Sequence, residues 1–381
     1  MSKGTALLRQ RNEKRTLALL RTGEHHSRQE LSKLLGLSKN TISLIIDSFI
    51  KQGIVEEKGL DEQSGAGRPR IQLQLIPAFH TAIGISIGHS SCQFVVTDYR
   101  STILESGEWT IPSMQADPFI GQLIRLCGGL LDKYPQTLGI GAAIPALVDP
   151  HLGLVHFSSH LDWRDVPLKE RLDEGLPVKT IVMNNVKASA LAASSAVPLP
   201  PGGSGNLFYL RVDEGVGGAQ IIDGRVYDGA SFTAGEIGHL CVQMDGPLCA
   251  CGQRGCLETL VSMPAVREQL RASCPSANPE ESLLSLVTRL QHEACVLNLL
   301  RASGEHIGFA LAQIVNLMNP QNIIIDSPFA TLAPFKLAVQ QTMQRRALRI
   351  PLAKTSLQFI RNEFSASIGA AYAVVLDFEK E

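Results

Sequence analysis

Long apolar runs are missing from this 381-residue chain: none approaches the ~18 residues that a membrane-spanning helix requires, so membrane insertion is not expected. The opening segment MSKGTALLRQRNEK lacks an apolar core behind its basic residues, which argues against a secretory signal and for a cytoplasmic protein. Short-period repeats and long low-complexity tracts are also missing, which leaves a chain long enough for two or three ordinary domains. Cysteine is present at eight residues, but a disulfide framework belongs with shorter secreted chains. Net charge is close to nil at −1, and this hides an asymmetry. Of 35 Lys and Arg, 13 lie in residues 1–70 beside 8 Asp and Glu, leaving 22 cations and 28 acids in the remainder. A basic segment joined to an acidic body suggests a head that binds a polyanion.

Three short amphipathic segments follow one another in that basic part. The first, residues 11–21, places Leu17 and Leu20 three apart. A second helix opens at Ser27 with Glu30 three residues later, a capping box that satisfies orphan amides at a helix start. Leu31, Leu34 and Leu35 form its inner face and Gly36 ends it. A third opens at Ser38, runs to about Gln52, and carries Ile42, Ile45, Ile46, Phe49 and Ile50 at helical spacing. Its outer face holds Lys39, Asn40, Thr41, Ser43 and Ser48. With Ser38 at its start, this face offers short donors and acceptors around one cation, as a recognition helix in a major groove needs.

Any surface helix has a polar face, so the next stretch decides. Residues 54–58 and 71–75 read as strands around Gly65-Ala66-Gly67-Arg68-Pro69-Arg70. This is the pattern of a β-wing whose Arg68 and Arg70 can reach a minor groove or phosphates. Residues 1–76 are therefore expected to form a winged helix-turn-helix domain, with its linker, that binds a double-stranded DNA operator.

From Thr81 the pattern changes to α/β. Apolar strands are expected at 82–87, 92–97, 139–144, 180–183, 207–212 and 322–325, with a flexible turn at Gly202-Gly203-Ser204-Gly205. Two later segments stand out. Gly235-Glu236-Ile237-Gly238-His239 is followed by Cys249-Ala250-Cys251-Gly252-Gln253-Arg254-Gly255-Cys256-Leu257-Glu258. His239, Cys249, Cys251 and Cys256 thus make a His-x9-Cys-x-Cys-x4-Cys set. Zn²⁺ favours thiolate and imidazole, and four such ligands close a tetrahedron with no open position, so this ion would be structural and not catalytic. Four unconnected buried residues, or a reversible disulfide, are the alternatives.

These segments give the chain a resemblance, over nearly its whole length, to the ROK family of repressors, open reading frames and kinases. It is similar above all to the repressor branch with an N-terminal winged helix, which includes N-acetylglucosamine- and glucose-responsive repressors. The resemblance implies a structural zinc site, a body of two actin-like or hexokinase-like α/β lobes, and a homodimer or tetramer. The lobes are expected at 77–188, completed by 367–381, and at 189–366, the second carrying the zinc site and an oligomerisation surface.

The kinases of that family begin with a strand ending in Asp-x-Gly; this chain reads Gly84-Ile85-Ser86-Ile87-Gly88. Where they carry Asn-Asp, the Asp being the catalytic base, this chain has Asn184-Asn185. An amide hydrogen-bonds a sugar hydroxyl but takes no proton near neutral pH. Their second phosphate loop, Gly-Thr-Gly-x-Gly, is replaced by Asp213-Glu214-Gly215-Val216-Gly217, whose two acids would repel a triphosphate. Their late Gly-Gly is replaced by Asp326-Ser327. No catalytic residue is therefore expected. The sugar-contacting positions of the family fall on Asn184, Asn185, Glu236, His239 and Glu258, although the same residues could serve only to hold the zinc loop and hinge.

The expected function is transcriptional repression of carbohydrate genes, relieved by a sugar or sugar-phosphate effector. The alternatives are a repressor controlled by a phosphotransferase-system protein and an active sugar kinase with an accessory DNA-binding head.

Overall fold

Ser27 Oγ accepts a hydrogen bond from the Glu30 amide while the Glu30 carboxylate accepts one from the Ser27 amide, so the expected capping box is present. The computed structural model describes residues 3–21, 26–60, 71–88, 91–113, 115–196, 205–278 and 280–380. Its N-terminal part runs α1 (Lys3–Arg21), β1 (His26–Ser27), α2 (Arg28–Leu35), α3 (Lys39–Lys51), β2 (Val55–Leu60) and β3 (Ile71–Leu75). The strands form an antiparallel sheet in the order β1-β3-β2. Gly36 ends α2 with φ at 66°, and Ser38 caps α3 through the Thr41 amide.

Leu17, Leu20, Leu31, Ile42, Ile45, Ile46, Phe49, Leu73 and Leu75 are buried and form the core of this part. Three expectations are corrected. The first helix starts at Lys3 and not at residue 11. Leu34 is 60% exposed, because eight residues of α2 bury only the line through Leu31. Ile50 lies at the exposed edge of the α3 stripe. The wing tip with Arg68 and Arg70, and the turn residues 202–204, lie outside the described residues.

The chain divides into two units, residues 1–183 with 370–381 and residues 184–369. In the first, β4 (Thr81–Ile87), β5 (Ser91–Asp98), β6 (Ile103–Thr110) and β7 (Thr137–Ile144) precede a small antiparallel sheet. That small sheet consists of β8 (Leu147–Asp149), β9 (Leu154–Ser158) and β10 (Trp163–Val166), and β11 (Thr180–Asn184) then returns to the main sheet. The main order is β11-β7-β4-β5-β6, with β4, β5 and β6 antiparallel and β7 parallel to β4.

The second unit has β12 (Leu207–Val212), β13 (Val216–Ile222), β14 (Arg225–Val226), β15 (Asn322–Asp326) and β16 (Ser356–Ile360), in the order β14-β13-β12-β15-β16. Here too three antiparallel strands come first and two parallel strands pair on the other side of the first. The two sheets therefore repeat one topology. Strands β1, β6, β8 to β10, β13, β14 and β16 were not among the expected ones; β6 alternates half-buried and exposed residues with two acids and a Gly, which dilutes its apolar signal.

The first unit also seats the head. Arg21, at the end of α1, makes a two-pronged contact with Glu379 at 2.6 and 3.0 Å and lies over the Tyr372 ring, 5.1 Å from its centroid. Tyr99 donates a third hydrogen bond to Glu379, at 3.0 Å. Burial, and next the Glu379 carboxylate, push the Tyr99 phenol above its ordinary value, so it remains a donor. Lys14 sits over the Phe378 ring at 4.7 Å. Removing one member of such an enclosed pair strands the other, at a cost of about 3 kcal/mol.

Arg21→Ala is accordingly expected to lower the thermal midpoint of this unit by roughly 6–10 °C. Arg9→Ala breaks the exposed Arg9–Glu13 pair and should move it by less than about 2 °C. Equal shifts in a scanning fluorimetry comparison would remove the special role of the Arg21 contact.

Candidate metal centre and effector pocket

The segment after β14 must come very close to β13. Gly235 has φ at 105°, and a Cβ there would lie 2.1 Å from the Gly218 carbonyl oxygen; one at Gly238 would lie 2.1 Å from that of Val216. Only glycine fits at both positions. The Gly218 amide donates to the Gly235 carbonyl at 2.8 Å, which fixes the approach. A short turn of helix, Ile237–His239, then carries His239 toward the cysteine segment.

That segment closes on itself. The Cys249 amide donates to the Gln253 carbonyl at 2.7 Å and the Gly255 amide to that of Pro247 at 2.9 Å. His239 Nδ1 lies 3.6 Å from Cys249 Sγ, and Cys251 Sγ lies 3.6 Å from Cys256 Sγ. One ligand atom from each of the four residues falls within 4.8 Å of every other. A tetrahedron with Zn–S bonds of about 2.3 Å has edges of roughly 3.8 Å, so the set is sized for such an ion. Cys249 and Cys256 are buried, whereas Cys251 is exposed. Burial, with the neighbouring thiols, pushes the Cys256 thiol up to about 12, so a bound ion has a proton to displace there. Two of the remaining cysteines, Cys274 and Cys295, are joined in a disulfide with Cα atoms 5.7 Å apart, a pairing that spacing alone did not reveal.

The pocket residues gather around the start of β13. Glu258 Oε2 accepts from the Val216 amide at 3.0 Å. Glu236 is exposed, with its carboxylate 4.0 Å from His239 Nε2, so the imidazole presents one nitrogen to the thiols and the other to Glu236. Asn184 caps the helix Asn185–Ala196 by accepting from the Val186 and Lys187 amides at 2.9 and 3.2 Å. Asn185 Oδ1 lies 2.9 Å from the Val186 amide. Val186 packs against Gly217, where a Cβ would meet its Cγ2 at 2.9 Å, and this brings the helix start to β13. Lys187 is buried and holds the following loop through Asp228 at 2.6 Å and the Phe232 carbonyl at 2.9 Å.

The acids expected to repel a triphosphate differ from one another. Asp213 is paired with Arg211 at 2.8 Å, so its charge is largely compensated, and Glu214 alone is exposed. Arg211 was not singled out in the sequence. It also donates to Ser365 at 2.9 Å and lies 3.6 Å from buried Asp326, which accepts from Tyr209 at 2.5 Å. Ser365 in turn donates to Ser189 at 3.0 Å. Burial works against the Arg211 charge, but Tyr209, Asp213 and Asp326 outweigh it and hold the guanidinium above its ordinary value. Asp326 is thus enclosed in a network of side chains. In the first unit, Ser86 pairs across β4 with Gln93 and Ala143, and the Gly88 amide donates to the Ser91 carbonyl at 2.8 Å.

A sequence model of the ROK family matches residues 82–376. The chain belongs to the ROK family. This ROK chain is similar to a xylose repressor of Bacillus spizizenii, with 29% identity covering 86% of this chain and 84% of the relative. It is also similar to the DNA-binding transcriptional dual regulator NagC of Escherichia coli K12, with 26% identity over 90% and 87% of the two chains. A ROK family transcriptional regulator described as a homologue of the E. coli Mlc protein has the same fold, with a TM-score of 0.83, 22% identity, and 98% and 97% coverage. A ROK family glucokinase from Streptomyces griseus, solved with glucose and AMPPNP, matches 77% of this chain and 98% of its own (TM-score 0.65, 21% identity). No helix among the described residues is long and apolar enough to cross a membrane.

Elemental analysis of the purified chain is expected to find about one thiophilic metal ion per chain, as a closed four-ligand site requires. Cys256→Ser should lose both the ion and much of the thermal stability of the second unit. Unchanged metal content in that variant would show that the four residues do not hold it.

Proposed function

We propose that this ROK chain is a cytoplasmic DNA-binding transcriptional repressor of sugar uptake or metabolism genes, relieved by a sugar or sugar-phosphate. The observation that carries this reading is the union in one chain of a small N-terminal part, three helices with a three-stranded sheet, and a ROK body. The repressors named above support it, since their similarity spans more than four fifths of their own length. The head would bind double-stranded DNA through the outer face of α3 and the wing, including Ser38, Lys39, Asn40, Thr41, Ser43, Arg68 and Arg70. A homodimer or tetramer would present two heads to operator half-sites.

Asn184, Asn185, Glu236, His239 and Glu258 would contact the effector, and amides and carboxylates suit the several hydroxyls of a sugar ring. Zn²⁺ would be held by His239, Cys249, Cys251 and Cys256, supplying a rigid cross-link and no reaction chemistry. Its place beside Glu236 would orient the free His239 nitrogen toward the ligand. Phosphoryl transfer is not part of the proposal. Asn185 has no basic lone pair to take a hydroxyl proton, Ser86 offers no carboxylate to a divalent cation, and Asp326 is engaged by Tyr209 and Arg211.

The test is a thermal-shift panel of pentoses, hexoses, amino sugars and their phosphates on the full chain. A ligand at ~100 times its dissociation constant adds about 2.7 kcal/mol to the folded state. One compound is expected to raise the midpoint, to lose that effect in Glu236→Ala, and to weaken DNA binding by the same factor by which DNA weakens its own binding. No sugar-dependent ATP consumption is expected. A panel without any shift would redirect attention to a protein partner such as a phosphotransferase subunit, and sugar-dependent ATP turnover would overturn the reading.

A further inference from the structure

The outer face of α3 carries a large apolar side chain among its polar ones. Leu44 is 69% exposed, while Ile42, Ile45, Ile46 and Phe49 on the inner face are at most 3% exposed. Its neighbours on the outer face are Lys39, Asn40, Ser43 and Asp47. Asp47, whose charge would oppose a phosphate backbone, is tied to Arg28 of α2 at 2.7 Å, and the same guanidinium reaches Glu57 of β2 at 2.9 Å. Ser38 and Thr41 are occupied with each other at 2.8 Å and with the helix cap. Beside that pair, the first half of the outer face of α3 presents Lys39, Asn40, Ser43 and Leu44.

Asn40 and Leu44 are four residues apart, one above the other on the same side of the helix. One turn advances about 5.4 Å, or one to two base-pair steps. Asn pairs with the N6 and N7 edge of adenine, and the one apolar group in the major groove is the 5-methyl of thymine. An exposed leucine gains nothing from water or phosphate. It gains from covering that methyl. This argument rests on the reading that the head binds DNA and goes one step beyond it. We propose that Leu44 is a specificity-determining residue that packs on the methyl group of a thymine within one or two base pairs of the pair contacted by Asn40.

The test begins with selection of duplexes from a random-sequence pool by the full-length protein. Each thymine of the enriched site is then replaced singly by deoxyuridine, which pairs identically but lacks the methyl. In the wild-type chain, one thymine per half-site is expected to lose roughly 3- to 10-fold in affinity on replacement, as the burial of one methyl predicts. Leu44→Ala should bind thymine and uracil equally at that position, while Leu44→Met should keep the preference. A site with no methyl-sensitive thymine, or a methyl preference that persists in Leu44→Ala, would overturn the assignment and leave DNA binding by the head intact. If no sequence is enriched at all, the DNA-binding reading falls and the Leu44 assignment falls with it.

Discussion

The thiol cluster and the residues around the start of β13 depend on one approach of backbone to backbone. Strand β13 and the segment 235–238 are so close that side chains are excluded at Gly235 and Gly238. Everything chemically distinctive is attached to that contact. Glu236 and His239 flank it, Glu258 holds the Val216 amide at the start of the same strand, and the helix carrying Asn184 and Asn185 leans on Gly217. A metal in the thiol cluster would hold the same place from the other side, through His239. Glycine near a site is often read as looseness; here it allows backbone to pack directly on backbone.

This explains why the site was more legible than the sheets that carry it. His239 and the three cysteines announce themselves through ligand chemistry at short spacing, and the structure brings their ligand atoms together. The glycines that enforce the arrangement sit in the same short motifs. Strands such as β14 and β16 gave little warning. β14 has two residues, and β16 has no buried residue despite its apolar members, so neither shows the alternation that a half-buried strand leaves in a sequence. Contacts between residues far apart were invisible for a different reason. The pairing of Arg21 with Glu379 spans 358 positions, and that of Arg211 with Asp326 depends on a parallel strand register. Periodicity carries no information about either.

The Asp326 cluster is a set of polar side chains that satisfy one another inside the second unit. A carboxylate buried beside Tyr209, Arg211 and Ser365 is satisfied by its own neighbours. The same pairing removes most of the repulsion that Asp213 would exert by itself, since Arg211 serves both acids. Of Asp213 and Glu214, the structure thus leaves Glu214 as the exposed acid.

The head has a complete core by Leu75, yet the carboxylate that seats it belongs to a residue made 358 positions after its partner. At translation speeds of about 5–20 residues per second, the interval between them is roughly 20 to 70 s. For that time a newly made head is tethered to the ribosome without the carboxylate that seats it. The order of synthesis thus separates the completion of the head's core from the arrival of the residue that seats it.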